Sequence, residues 1–159
     1  MSYISLVAIL GLVFPEISGD CLNGWLHHGH SCYHISRDCI TWADAYKVCT
    51  IIGEGANGRL VEIEDSDEAY FIEHQVQLMN DIFWIGATDV MNEGKFIWMT
   101  SKNTVTTAHW SPGQPDGYNI DENCIQIWSN GKWNDAPCSG QIRYICESDE
   151  GTFPAEVVG

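Results

Sequence analysis

Five side chains that carry oxygen ligands are grouped in segment 114–135. Carboxylates and amides of this kind are preferred by hard cations, and calcium takes about 6 to 8 oxygen atoms in a flexible geometry. The set has no nitrogen or sulfur donor, and magnesium and zinc fit it poorly. The group therefore predicts a calcium site, with a solvated acidic turn as the alternative. Its members are Gln114, Asp116, Glu122, Asn134 and Asp135.

The elements that must hold these ligands have signals of their own. Pro115 lies between two of the predicted ligands, where an X-Pro bond can adopt the cis form at small cost and would then turn both flanking side chains to one side; composition alone does not decide the isomer. Segment 124–128 alternates like a strand, and Asn130-Gly131 is typical of a two-residue hairpin turn. We therefore expect two neighbouring strands to deliver the later ligands.

Two amphipathic helices precede the ligand segment. Thr41 is the predicted N-cap of the first, which ends at Gly53, and Ser66 is the predicted cap of the second. Short apolar runs at 60–63, 83–86, 95–99 and 142–146 predict strands. The apolar positions that recur at helical spacing are Trp42, Ala45, Tyr46, Cys49, Ile52, Ala69, Ile72, Val76 and Met79. Further along, Trp84, Trp98 and Trp110 are also interpreted as core residues rather than as an aromatic cleft.

Length and charge restrict the class of protein. The chain has 159 residues, enough for one domain with a core, and a formal net charge of −15. That sign argues against nucleic acid and anionic membranes as partners. Some of the acidity belongs to the predicted cation site and most lies elsewhere, as in segment 62–68, which is interpreted as a solvated surface.

Both ends of the chain differ from its middle. Residues 1–19 contain an apolar run over 4–14 and end in small residues, which is typical of a secretory signal peptide, and the run is shorter than the roughly 18 to 20 residues of a membrane span. Residues 149–159 have glycine, proline and acids without a period, so we expect a disordered tail after a single domain at 20–148.

The chain has seven cysteines, which together with the predicted signal peptide indicate an oxidising compartment and a disulfide framework, although spacing alone leaves the pairing open. His27, His28 and His30 crowd one predicted turn around Gly29. They suggest a zinc site, but no cysteine or carboxylate at ligand spacing completes it, and an exposed polar turn is the preferred interpretation.

Motifs along most of the chain resemble the C-type lectin family in order and spacing. The resemblance covers about Cys21 to Glu147 and implies an α+β fold, in which two helices pack on irregular antiparallel sheets with long loops. The motifs are Cys32-Tyr33, Trp42-Ala43-Asp44-Ala45, Leu60-Val61-Glu62-Ile63, Trp84-Ile85-Gly86, Gln114-Pro115-Asp116, Glu122-Asn123-Cys124 and Trp133-Asn134-Asp135.

The family pattern also implies three disulfides, which pair Cys21 with Cys32, Cys49 with Cys146, and Cys124 with Cys138. Cys39 is left over. It is interpreted either as an interchain bridge that forms a homodimer or higher oligomer, or as a buried free thiol.

The resemblance assigns roles to the oxygen ligands. All five would hold the principal calcium and bind sugar hydroxyls as well, and Tyr118 would stack on the apolar face of the sugar. An auxiliary calcium site would use Asp89, Glu93, the shared Glu122 and Asn123. That site is expected to be weak or empty, because Gly117 and Asn123 stand where the family often has acids.

Together these features predict a secreted, extracellular, calcium-dependent lectin that recognises glycans on microbes or cells, or agglutinates them, in innate immunity. In the resembled family the order Gln-Pro-Asp accompanies galactose and N-acetylgalactosamine, and Glu-Pro-Asn accompanies mannose. The short segment 119–121 lacks the Gly-rich loop of many galactose binders, so broader glycan binding stays open. The alternative is a matrix or biomineralisation protein on the same scaffold. An enzyme is not expected, since neither Gly-x-Ser-x-Gly nor His-Glu-x-x-His is present.

Overall fold

The computed structural model describes residues 21–53, 57–106, 108–117 and 121–151. The predicted signal peptide and residues 152–159 of the predicted tail lie outside these ranges. Within the described ranges no helix has the length and apolarity needed to cross a membrane. The elements are β1 (Leu26–His28), β2 (Ser31–Ile35), α1 (Trp42–Ile52), β3 (Arg59–Leu60), α2 (Ser66–Met79), β4 (Phe83–Thr88), β5 (Ile97–Trp98), β6 (Cys124–Ile127), β7 (Trp133–Ala136) and β8 (Arg143–Asp149).

Helix α1 begins and ends where the sequence predicts. The Thr41 side chain accepts a hydrogen bond from Asp44 N at 3.3 Å, and Gly53 is the C-cap. Helix α2 differs by one residue from the prediction, because Asp65 is the N-cap and accepts from Glu68 N at 2.9 Å. Met79, predicted to pack in the core, is 40% exposed because it lies in the last turn of α2.

The strands follow the order β1-β2-β8-β4-β6-β7, with β3 on β8 and β5 on β4. Their pairs are antiparallel except that β4 and β8 run parallel.

Strand β8 continues to Asp149, where it pairs with Ser31, one residue beyond the predicted end of the domain. The next residue, Glu150, donates its N–H to His30 O at 3.0 Å. The predicted disordered tail is therefore wrong for residues 149 and 150.

Two hydrophobic clusters flank the sheet. One packs α2 against β4, β6 and β8, and the other packs α1 against Trp84 and the Cys49–Cys146 disulfide. Trp42, Trp84 and Trp98 are buried, as predicted, and Trp110 packs against the first cluster while partly buried. Each fully buried apolar side chain stabilises the fold by about 1.5–3 kcal/mol.

All three disulfides form between the pairs that the family pattern implies. The longest joins residues 97 positions apart, and in the chain-entropy model a loop of that length stabilises the fold by about 4–5 kcal/mol. Cys39 is free and exposed. The buried-thiol interpretation is therefore wrong, and the interchain alternative stays a prediction.

Candidate functional site

The hairpin of β6 and β7 forms the base of the candidate site. Cys124 pairs with Ala136 and Ile125 with Asp135 across the hairpin, and the turn is closed by Gly131 N donating to Trp128 O at 2.7 Å. Gly131 has a positive φ of 80°, a conformation that favours glycine. The start of β6 and the end of β7 thus meet at one edge, which brings Glu122 close to Asp135.

The Gln-Pro-Asp turn is held against β7 by backbone hydrogen bonds. Trp133 N donates to His109 O, and Ser111 N donates to Trp133 O, both at 2.9 Å. Gln114 N then donates to Ser111 O at 2.9 Å and closes the turn. The Gln114–Pro115 bond is cis, an isomer that the sequence allows but does not decide.

Three carboxylates converge at this edge. Asp116, Glu122 and Asp135 each offer an oxygen, and the three oxygens lie within 4.8 Å of one another. Like charges about 4 Å apart repel by about 4 kcal/mol at an effective dielectric constant of about 20. A divalent cation removes that repulsion, and an all-oxygen donor set is the type that calcium prefers. The residues present therefore fit a calcium ion.

Asp135 also orders the turn that carries Asp116. It is only 3% exposed. Its Oδ2 accepts from Gly117 N at 3.0 Å, and its Oδ1 accepts from Asp116 N at 3.4 Å. A single buried carboxylate thus both contributes to the acidic cluster and positions a neighbouring member of it.

The two amide residues lie beside the carboxylates. Gln114 Oε1 accepts from Asp116 N at 3.2 Å, and Asn134 Nδ2 donates to the backbone carbonyl of Asp135. Both side chains are partly exposed. The structure thus brings together three of the five predicted ligands, Asp116, Glu122 and Asp135, and hydrogen-bonds the two amides to the backbone beside them. Their role as ligands stays a prediction, and Tyr118 lies outside the described residues.

Two of the residues predicted for the auxiliary calcium site, Asp89 and Glu93, lie in different surroundings. Asp89 is 2% exposed, and its Oδ2 accepts from Gly94 N at 2.7 Å, whereas no described residue hydrogen-bonds to its buried Oδ1. Glu93 lies beside Gly117, because a Cβ atom added to Gly117 would be 3.5 Å from Glu93 Oε1. Neither acid belongs to the three-carboxylate group.

Thr88 has a positioning role that the sequence did not indicate. Its Oγ1 donates to Asn123 O at 2.6 Å, and Asp89 N donates to the same carbonyl at 3.2 Å. These bonds fix the backbone directly after Glu122. A threonine at the end of a buried strand has no local signal that separates this role from ordinary packing.

A cavity of about 490 Å³ lies elsewhere, beside α2 and β8. Its buried acids already have partners: Glu62 accepts from Thr100 N at 2.6 Å, and Glu147 pairs with Arg59 at 2.7 Å. The interpretation of segment 62–68 as a solvated surface is therefore wrong at Glu62, which is 4% exposed. Burial, and then the charge of Glu147, raises the pKa of Glu68 to about 7. The polar groups that line the cavity thus hydrogen-bond to or pair with one another. We therefore interpret them as a structural network and not as a second candidate for the calcium site.

The fold and the oxygen site define a class of protein. Residues 39–148 match the model of the family described as Lectin C-type domain, and the chain belongs to the C-type lectin family. Its relatives include proteins described as a hepatic lectin of Gallus gallus and a galactose-specific lectin of Thalassophryne nattereri.

Three relatives show how far the likeness reaches. The chain is 35% identical to a perlucin-like protein of Mytilus galloprovincialis, over 80% of this chain and 82% of that one. It is 30% identical to the galactose-specific lectin nattectin of Thalassophryne nattereri, over 91% of this chain and 92% of that one. The C-type lectin CEL-I from Cucumaria echinata, whose crystal structure is known, is 28% identical in sequence. Its structure matches with a TM-score of 0.75 over 82% of this chain and 99% of that one. The chain spans less than two thirds of the length of several other curated relatives.

Proposed function

We propose that the protein is a secreted calcium-dependent lectin with a preference for galactose-type sugars. The observation that carries the proposal is the convergence of Asp116, Glu122 and Asp135 beside the cis Gln-Pro-Asp turn. When bound, calcium supplies vacant coordination positions for two adjacent sugar hydroxyls. Three disulfides suit an oxidising, extracellular compartment.

The side chains of the site offer both halves of a hydrogen-bonding pattern. The carboxylates of Asp116 and Glu122 accept hydroxyl protons, and the amide groups of Gln114 and Asn134 donate to hydroxyl oxygens. The order amide-Pro-acid supports galactose and N-acetylgalactosamine, as does a relative described as galactose-specific. Tyr118 remains our candidate for stacking on the sugar.

An auxiliary cation is a weaker part of the proposal. A buried carboxylate oxygen without a partner is costly, and a cation beside Asp89 Oδ1 would satisfy it. Asp89, Glu93, Glu122 and Asn123 would hold the ion, with less negative charge than the family often has there. We therefore expect weaker binding than at the principal site.

Reversing the triplet is expected to reverse the sugar preference. On a glycan array in calcium, the natural chain should favour galactosides, and a chelator should remove the signal. The double variant Gln114→Glu with Asp116→Asn exchanges donor and acceptor. We expect the mannoside-to-galactoside ratio to rise about tenfold or more, since an unsatisfied hydrogen-bonding group costs about 1–3 kcal/mol.

A charge-matched control is available on the surface. Gln141→Glu with Asp67→Asn makes the same exchange at exposed positions and should leave the preference unchanged. An unaltered ratio in the triplet variant would refute the role of the triplet. Absence of any glycan signal, with or without calcium, would refute the lectin proposal and favour a matrix protein on this scaffold.

Avidity through Cys39 is the proposed route to recognition or agglutination of microbes and cells. Single sugar sites bind weakly, and linking two of them raises the overall affinity. The exposed Cys39 thiol is available for an interchain disulfide. Non-reducing electrophoresis should show a dimer that disappears with reductant and in Cys39→Ser, whereas a monomer under oxidising conditions would exclude this bridge.

A further inference from the structure

A cavity of about 390 Å³, called the side groove below, lies beside the Gln-Pro-Asp turn. One of its lining residues is Pro115, which stands between Gln114 and Asp116 in the chain. Its volume falls within the range of about 300–1,000 Å³ that is usual for small-molecule sites. The apolar side chains of its lining are Met91, Phe96, Ile97, Val105, Trp110 and Pro115.

Packing holds the floor of the side groove in place. Phe96 is 7% exposed, and the centroid of its ring lies 5.2 Å from that of Trp110. Val105 N donates to Phe96 O at 3.0 Å, and Trp110 forms a β-bridge with Trp133 of β7. These contacts exist without a ligand, so little ordering of the protein opposes binding there.

The loop after β4 connects the side groove to the proposed sugar site. Asp89 N donates to Asn123 O at 3.2 Å, and a Cβ atom added to Gly117 would be 3.5 Å from Glu93 Oε1. Met91, which lines the side groove, lies between these two contacts in the chain. A ligand held at the three carboxylates can therefore extend past the Gln-Pro-Asp turn into the side groove.

The same loop exposes apolar surface. Val90 is 62% exposed and Met91 is 83% exposed. A methionine side chain is flexible and adapts to irregular apolar partners. An apolar group in the side groove would remove part of this surface from water, which is favourable. The net charge of −15 opposes an anionic occupant but does not repel a neutral alkyl chain.

We propose that the side groove binds the alkyl aglycone of a galactose-type glycolipid whose sugar is held at the calcium site. This inference rests on the proposed function and narrows its ligand to galactosides that carry an apolar group. Hydrogen bonds to the sugar supply orientation, and the alkyl chain supplies affinity by leaving water. Each fully buried methylene raises affinity about fourfold, so burial of two exceeds a tenfold gain.

The test compares galactosides that differ in their aglycone. Methyl β-galactoside, octyl β-galactoside and lactose are titrated calorimetrically into the full chain in saturating calcium, with the octyl compound below its critical micelle concentration. Octyl β-galactoside should bind at least about tenfold more tightly than methyl β-galactoside, whereas lactose should bind like the methyl compound. A chelator should abolish binding of all three, because the sugar anchors the alkyl chain.

Two variants at exposed positions of the side groove locate the gain. Met91→Ser removes apolar surface, and Thr104→Trp fills the cavity. Each should lower the octyl-to-methyl affinity ratio at least about threefold. Leu78→Ser is the matched control, since Leu78 is a 67% exposed apolar residue of α2, and it should keep the ratio of the parent.

The outcomes separate this inference from the proposed function. Calcium-dependent binding of methyl β-galactoside without a gain from the octyl chain would overturn the inference and leave the lectin proposal intact. A gain from lactose alone would assign the side groove to a second sugar and overturn it as well. So would an octyl gain that persists in both groove variants or in the chelator. No calcium-dependent binding of any galactoside would refute both proposals.

Discussion

Replacing Asp135 by asparagine is expected to remove the calcium-dependent sugar binding that we propose. The substitution keeps the shape but deletes one of three clustered charges, and it turns an amide donor toward the backbone N–H groups of Asp116 or Gly117. Calcium affinity should fall about 100-fold, because interactions of charged groups contribute about 1.5–3 kcal/mol each. Calcium titration followed by binding to immobilised galactose measures both losses.

Two further variants make this result interpretable. Asp116→Asn removes a charge from an exposed position and should weaken calcium binding without risk to folding. Asp121→Asn removes an exposed charge next to Glu122 but outside the three-carboxylate group, and should bind calcium normally. Normal calcium affinity in both Asp135→Asn and Asp116→Asn would mean that the cluster is not the principal cation site.

The largest loss of stability is expected from Arg59→Met. Arg59 meets Glu147 through two bonds, Nη2 to Oε1 at 2.7 Å and Nε to Oε2 at 3.1 Å. Glu147 is only 4% exposed, so the variant leaves its carboxylate buried without a counterion. We expect the free energy of unfolding in urea to fall by about 3–5 kcal/mol, as when other buried ion pairs lose one partner.

The pH dependence gives this prediction a second readout. Burial raises the pKa of the Glu147 carboxyl above 4.5, and the Arg59 charge opposes that rise. Without Arg59 the folded state holds the proton more tightly than the unfolded state does. The deficit should therefore be small at low pH and grow as the pH rises above 4.5.

Arg143→Met is the surface control, since Arg143 pairs at 3.2 Å with Asp81, which is 45% exposed. It should cost about 0–1 kcal/mol. Adding Glu147→Gln to Arg59→Met should recover much of the loss by removing the buried charge. A deficit equal to that of Arg143→Met would show that the Arg59 pair contributes no more than an exposed one.

Predictions from the sequence were most accurate where the interacting residues are close together along the chain. The α1 caps depend on a hydroxyl three residues from its partner and on a glycine, and both were predicted. The α2 cap was missed by one residue because Asp65 and Ser66 are both good N-caps, and in the structure it is Asp65 that accepts from Glu68 N. Met79 follows the apolar period, but α2 ends before its side chain reaches the core.

Long-range pairs could not be predicted in the same way. The proposed calcium ligands come from three short stretches, and they were predicted from their oxygen-bearing side chains and the family motifs rather than from contacts; three of them converge in the structure. Arg59 and Glu147 are 88 positions apart, and His27 and Glu150 are 123 positions apart. Only the addition of β8 beside β2 and β3 brings these partners together, and no spacing along the chain encodes that pairing.

The strand order has a practical consequence for how the protein can be attached. Strand β1, the first described, forms one edge of the sheet, and β7, which carries Asn134 and Asp135, forms the opposite edge. An anchor fused ahead of β1 would therefore hold the molecule by the edge of the sheet that is opposite to β7. Biosensor immobilisation through that end should leave the loops of the proposed sugar site accessible to large glycoconjugates.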